Sequence, residues 1–407
     1  MREYDDFGKV RDVVKDSEIV VGIPSRNSAH TIGYVLKNVD VGLRKYFSDK
    51  SSFVVICDGL SSDGTVEVVN VFKKYLKTPL AIIPNTKSHG KGGAVKTILE
   101  VADESSTLQA LVLVDSDLRS IVPEWIPLLS SVTEGYGLAA PYYRRHKYDG
   151  TITNFVARPL TTMSYGIDIN QPIGGDFGLS RELVRILNNS ELWSKIPWTM
   201  LFGIDIFITH TALAHNLSVC EVDLGVKIHE PKDPTTSLKG MFIEVLGTIF
   251  ELLIEYSKLW SKHEVCEISF PKRIEKFKIP RMSPWEIVVS KEKAYNEFIK
   301  GLAENKSFLE TYLSKETLTL LYSEETKTKG VASKLWATVV YEFFKHYLNL
   351  KDEKEEALKS LFSIWQGRLY NYYIITWNME NEEALKEIDK QIKDFIGLRK
   401  LFTKIFA

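Results

Sequence analysis

Residues 111–120 read LVLVDSDLRS, and the abrupt change of character at Asp115 decides how the rest of the chain is read. The apolar run 110–114 has the length and composition of a buried strand. Two unpaired carboxylates cannot stay inside a sheet, so Asp115 and Asp117 must emerge at the C-terminal end of that strand, where open α/β sheets bind ligands. Alternation along a strand sends both to one face, with Ser116 between them. Two hard oxygen ligands on one face suit Mg²⁺ or Mn²⁺ carrying a phosphate-rich substrate. The competing reading is a turn aspartate pair that caps the following helix.

Outward from this stretch, the N-terminal half alternates strands with helices. EIVVGI (18–23) stops at Pro24-Ser25-Arg26-Asn27 and precedes a helix pattern at Ile32, Val35, Leu36 and Val39. The second strand, 53–57, ends at Asp58-Gly59, and the third, 79–83, leads into NTKSHGKGG (85–93). Strand–helix alternation at roughly 30-residue spacing means βαβ units and a right-handed, mostly parallel sheet. Arg26, Asn27, Asp58, Lys91, Asp115 and Asp117 then gather on one rim. A dinucleotide-binding domain is excluded, because the turn after the first strand lacks G-x-G-x-x-G. The Gly90-Lys91-Gly92-Gly93 loop is not a Walker motif. A lysine among glycines at a helix start can still sit close to a pyrophosphate; a solvated turn is the alternative.

Beyond residue 137 the pattern loosens. LAAPYY (138–143) reads as a strand that Pro141 confines to an edge or a bulge. Residues 173–180, IGGDFGLS, read as a tight loop in which backbone approaches something closely. Asp205 precedes an apolar helix, 206–213, as an N-cap or as a site acid. The strand 219–228 ends in His229, which is structural or shares the rim with the acidic pair. From residue 234 onward helices dominate, with 262–284 as the expected linker. The aromatic cluster at Tyr370, Tyr372, Tyr373 and Trp377 is expected to be core. The boundaries that follow are an α/β domain carrying the rim over 1–265 and a helical domain over 266–407.

Composition bounds the classes of function. With 407 residues, 44% apolar and 26% charged, the chain is an ordinary globular one, and its net charge of −1 sets up no field for nucleic acid or acidic membrane. Cys57, Cys220 and Cys266 show no metal or disulfide spacing, and no apolar run approaches the roughly 18 residues of a membrane span. A cytoplasmic, soluble protein is the expectation. The apolar helical faces allow a homodimer contact.

Taken together, the motifs over 18–230 resemble retaining nucleotide-sugar glycosyltransferases of the GT-A fold, in particular the mannosylglycerate synthase and glucosyl-3-phosphoglycerate synthase family. The likeness is carried by Pro24 with Asn27, Asp58, Gly90-Lys91-Gly92, Asp115-Ser116-Asp117, 171–176 (QPIGGD), 203–205 (GID) and 225–229 (GVKIH). The 365–372 stretch, WQGRLYNY, is more similar to mannosylglycerate synthase. The fold it implies is a mixed, mostly parallel sheet flanked by helices, with an all-α C-terminal region.

The resemblance also implies roles. Asp117 and His229 would ligate a divalent metal, Mg²⁺ or Mn²⁺, with diphosphate oxygens completing the shell. Pro24, Asn27, Asp58, Asp115, Ser116 and Gly174 would line the donor, a UDP-glucose or GDP-mannose type sugar nucleotide. Lys91 would face the phosphates, and Asp205 would orient sugar and acceptor hydroxyl. Thr151, Thr153, Gly175 and Asp176 would serve a glycerate-like acceptor. The phosphoglycerate-using relatives carry an arginine at the position of Thr151, so free glycerate is the expected acceptor, unless the basic run Arg144–Lys147 replaces that charge. The expected activity is retaining hexosyl transfer to D-glycerate. The alternatives are transfer to 3-phosphoglycerate and a non-catalytic nucleotide-sugar-binding module.

Overall fold

The computed structural model describes residues 3–229, 238–261, 265 and 267–404. It contains one eight-stranded sheet in the order β3-β2-β1-β4-β6-β5-β7-β8. The strands are β1 (Ile19–Ser25), β2 (Ser52–Asp58), β3 (Leu80–Pro84), β4 (Ala110–Leu113), β5 (Leu138–Arg144), β6 (Phe177–Ser180), β7 (Val219–Val226) and β8 (Lys272–Ile274). β1, β2, β3 and β4 are mutually parallel, and so are β5, β7 and β8; β6 runs antiparallel to β4 and β5. This is the expected mixed, mostly parallel sheet. Val, Ile and Leu fill its strands because both faces are covered, which removes the polar alternation of a half-exposed sheet.

Three local expectations change. Residues 177–180 form β6 rather than the end of a loop; Gly178 is needed there because a Cβ would stand 1.7 Å from the Leu129 carbonyl oxygen. The stretch 262–284 is not a plain linker, since it contributes β8; residues 262–264 and Cys266 lie outside the described residues. Pro141 sits inside the sheet, yet β6 pairs only with Leu138 and Ala139 of β5. At Pro141 the strand is therefore locally an edge, and the missing N–H leaves no gap in the ladder.

Contacts divide the chain into two compact units, which is not the single cut after residue 265. One unit holds 1–144, 169–230 and 271–285, the whole sheet among them; the other holds 145–168, 231–270 and 286–407. The second unit is helical. Helix Lys354–Thr376 runs through it and buries Trp365, Tyr372 and Tyr373, while Trp377, just past its end, is 44% exposed. Tyr372 and Tyr373 are thus core, whereas Tyr370 is half-buried and Trp377 is exposed. Within the same unit Arg158 holds Asp168 through two bonds of 2.7 and 2.8 Å. Cys57 and Cys220 are buried free thiols, and no described helix is long and apolar enough to cross a membrane.

Candidate functional site

The C-terminal ends of β1, β2 and β4 lie on one edge, because these strands are parallel neighbours. β4 stops at Leu113, so Asp115–Asp117 lie in a loop where strand alternation no longer applies. The two carboxylates consequently meet different surroundings, which corrects the expectation of a shared face.

Asp115 sits in a closed ionic cluster. Its Oδ1 is 2.8 Å from Lys91 Nζ and its Oδ2 2.7 Å from Lys227 Nζ. Lys91 also reaches Asp205 at 3.1 Å and the Gly175 carbonyl at 3.4 Å. Lys227 reaches Asp176 at 2.8 Å and the Gly174 carbonyl at 2.8 Å. Asp176 in turn accepts the Asp115 N–H at 2.8 Å and the Tyr143 hydroxyl. Each ammonium thus has three acceptors for its three N–H bonds. Burial opposes the charge on Asp115, but Lys227 and Lys91 outweigh it and hold the carboxyl far below the ordinary range. Burial pushes Asp176 and Asp205 up; Lys227 opposes this at Asp176, and Lys91 opposes it at Asp205. Burial also works against the charge on Lys91, yet Asp115 and Asp205 keep it firmly protonated. Three carboxylates against two ammonium groups leave one negative charge when all are ionised, so a diphosphate entering here gains from an added cation.

Two backbone approaches hold the cluster together. Gly175 has φ +91°, and a Cβ there would stand 2.3 Å from Asp115 Oδ2; this is the close approach expected of the 173–176 turn. Gly92 lies under the segment Thr199–Leu201: its N–H donates to the Leu201 carbonyl at 3.0 Å, and a Cβ would meet the Thr199 carbonyl oxygen at 1.9 Å. The glycines of the GKGG loop therefore serve chain packing, which seats Lys91 at the start of helix Lys91–Asp103. Asp205 lies in the first turn of helix Ile204–Ala214 and does not cap it; Gly203 holds that position.

Asp117 and His229 stand apart from this cluster. The Arg119 N–H donates to the Ile228 carbonyl at 2.9 Å, and the Ile228 N–H to Ser120 Oγ at 2.9 Å. These bonds tie the loop after β4 to the end of β7, two residues from Asp117 and one from His229. Asp117 is half-buried and has no ionic or hydrogen-bonding partner among the described residues. No group of three His, Cys, Asp or Glu side chains that could hold a metal gathers among the described residues. A carboxylate and an imidazole suit a divalent ion whose remaining ligands are diphosphate oxygens.

The remaining expected residues divide into two groups. Asp58 is wholly buried: Oδ2 accepts Tyr4 Oη (2.8 Å) and the Ser61 N–H (2.9 Å), and Oδ1 accepts Ser61 Oγ (2.5 Å). Asn27, at φ +50°, is exposed in the neighbouring turn; Pro24 is buried. Ser116 Oγ shares a hydrogen bond with Ser28 Oγ at 2.8 Å beneath the rim. Thr151 and Thr153 belong to the helical unit, both buried, and Thr151 Oγ1 has no hydrogen-bond partner among the described residues. Lys227 and Tyr143 were given no role from sequence, although Lys227 lies within the 225–229 motif. Lys227 stands two residues before His229 at a strand end, and that spacing was a usable signal.

Against known proteins, residues 48–250 match the family model described as "Mannosylglycerate synthase, GT domain". The mannosylglycerate synthase of Rhodothermus marinus is 27% identical over 216 residues, which span 49% of this chain and 53% of the relative. The chain thus covers about half the length of that relative. Among solved structures, glucosyl-3-phosphoglycerate synthase from Mycobacterium tuberculosis in complex with phosphoglyceric acid is 21% identical, with a TM-score of 0.45, over 63% of this chain and 86% of that one. The same protein with Mn²⁺, UDP-glucose and phosphoglyceric acid is 22% identical at the same coverage and TM-score.

Proposed function

We infer that this chain, whose residues 48–250 match the model of the mannosylglycerate synthase glycosyltransferase domain, is a metal-dependent retaining hexosyltransferase. It moves glucose or mannose from a nucleotide diphosphate sugar to glycerate. The observation that carries this reading is Lys91, held between Asp115 and Asp205 on the edge that also carries Asp117 and His229.

Asp117 and His229 would hold the divalent ion together with the diphosphate, and a bound ion there offsets the charge that builds on the departing group. Lys91 has every N–H engaged, so it reaches a diphosphate oxygen by exchanging one carboxylate for it. Asp205, released in that exchange, orients the sugar and the acceptor hydroxyl. The acceptor oxygen attacks the anomeric carbon from the face the diphosphate leaves. The new glycosidic C–O bond forms as the old one breaks, and the hydroxyl proton passes to the departing diphosphate oxygen. Asp115 stays bound to Lys227 and keeps the cluster in register.

The acceptor assignment rests on the basic run Arg144–Lys147, just upstream of Thr151 in the sequence. Arg144 pairs with Asp223 at 3.0 Å and Arg145 with Asp149 at 3.0 Å. Lys147 Nζ donates to the carbonyls of Thr376, Trp377 and Met379, at the end of helix Lys354–Thr376. Burial lowers the His146 pKa, Lys147 adds to this, and His146 Nδ1 accepts the Tyr148 N–H, so the ring is neutral. The basic run is already occupied, and a dianionic phosphate gains no ready cation from it. Free glycerate is therefore the substrate, with Thr153 as the proposed carboxylate contact. The test measures kcat/KM for glycerate and for 3-phosphoglycerate with UDP-glucose and with GDP-mannose, following nucleoside diphosphate release. A preference for 3-phosphoglycerate would overturn the acceptor assignment, and no turnover with either acceptor would overturn the activity.

A further inference from the structure

The N-terminal segment does more than lead into the sheet. The Asp5 N–H donates to the Ile82 carbonyl (2.8 Å), and Asp5 Oδ2 accepts the Ile82 N–H (2.8 Å), so the segment is pinned to the edge of β3. Lys73 binds Asp5 as well, at 2.5 Å, and Asn70 donates to the Glu3 carbonyl at 2.9 Å. Tyr4, between these anchors, is half-buried against the sheet core and aims its hydroxyl at Asp58 Oδ2, 2.8 Å away. The strap therefore ends on a buried carboxylate at the rim.

That carboxylate reaches the surface through a short chain of hydrogen bonds. Ser61 donates to Asp58 through both its N–H and its Oγ, and the same Oγ accepts the Asn27 N–H at 2.8 Å. Asn27 Oδ1 accepts the Ser62 N–H at 2.9 Å. Asn27 is a non-glycine residue at φ +50°, a conformation that tertiary contacts must hold in place. Its turn follows β1, the strand neighbouring β4. Removing the tyrosine hydroxyl takes away one of the donors that fix the Asp58 carboxylate, and with it the position of Ser61.

We propose that Tyr4 is a positioning residue for the nucleoside half of the donor: through Asp58 and Ser61 it holds the Asn27 turn in its binding-competent form. The proposal rests on the nucleotide-sugar reading of this rim, and it assigns to the N-terminal strap a part in selecting the nucleoside over the bare diphosphate. Tyr4 itself touches no substrate.

The test titrates UDP, GDP and inorganic pyrophosphate into the full chain with Mn²⁺ by calorimetry, for the unmodified protein, Tyr4→Phe, Asp58→Asn and the double variant. Tyr4→Phe keeps the ring and its packing, so the unfolding temperature should stay close to that of the parent. Its affinity for the better nucleoside diphosphate should fall about fivefold, the scale of one neutral hydrogen bond, while pyrophosphate affinity is unchanged. If Tyr4 acts through Asp58, the double variant loses no more than Asp58→Asn alone. Unchanged nucleoside diphosphate binding in Tyr4→Phe, an equal loss for pyrophosphate, or losses that add in the double variant would each overturn the proposal. Failure of the unmodified protein to bind any nucleoside diphosphate would instead overturn the reading of the rim, and the proposal with it. Should Asp58→Asn not fold, donor KM against kcat in Tyr4→Phe decides alone: a raised KM at constant kcat supports the strap, and an unchanged KM overturns it.

Discussion

Lys227→Met removes the one ammonium group that joins Asp115 to Asp176, in a side chain only 5% exposed. Asp176 has no exposure at all, so its carboxylate cannot recruit water in compensation. Breaking a buried pair on one side costs about 3–5 kcal/mol, because an uncompensated charge is left behind. Protonation of Asp176 limits that cost, and the limit depends on pH. Burial already raises its pKa, with Lys227 opposing and Asp115 adding; without Lys227 it rises further. A carboxyl raised in the folded state contributes stability at low pH, and this is lost as pH climbs through the folded pKa. The variant should therefore be about 3 kcal/mol less stable near pH 7.5, a fall of about 6–12 °C in Tm for a unit of roughly 150–250 residues. At pH 5.5 the gap to the parent should narrow. Asp115 in the parent is depressed, so its own contribution is lost only on stronger acidification. Circular dichroism melts at the two pH values, with Lys227→Arg as the charge-retaining control, make the measurement. A gap below about 2 °C at pH 7.5, or one that widens toward pH 5.5, would refute the reasoning.

Asp117→Ala should leave Tm unchanged, since the side chain has no partner among the described residues; it should abolish the coupling between Mn²⁺ and nucleoside diphosphate binding in calorimetry, and EDTA should do the same to turnover. Thr151→Val deletes a buried hydroxyl with no hydrogen-bond partner among the described residues, so Tm should hold or rise by an amount worth about 1 kcal/mol, while the acceptor KM increases. Thr151→Arg, by contrast, enters a position only 1% exposed and should lower Tm by overpacking rather than create a phosphate site; a folded variant that prefers 3-phosphoglycerate contradicts this. Gly92→Ala drives a Cβ to 1.9 Å from the Thr199 carbonyl and should cost more stability than the same change at Gly397, where nothing lies within 4 Å; equal melting curves would show that the 199–201 segment moves freely.

Sequence alone determined the alternation of strands and helices, and with it the rim. Both are local consequences: Val-, Ile- and Leu-rich runs such as 19–23, 53–57 and 110–113 bury themselves, and the polar residue that ends each run marks the sheet edge. The residues Lys91, Asp115, Asp176 and Asp205 were legible for the same reason, since each ends an apolar run, starts one or sits in a glycine turn. Their partners were not. Whether Asp115 faces a metal or an ammonium group is decided by Lys227, 112 positions away, and no local pattern encodes that pairing. β6 and β8 escaped notice because four- and three-residue strands carry too little periodicity, and only neighbouring strands supply their hydrogen bonds. For the GKGG loop, sequence left a pyrophosphate approach and a solvated turn both open, and the 199–201 segment that lies against Gly90 and Gly92 could not be read from it. The unit boundaries were beyond sequence reasoning for a related cause: 145–168 and 238–261 group with 286–404 in one compact unit, a choice made by long-range packing rather than by the order of residues along the chain.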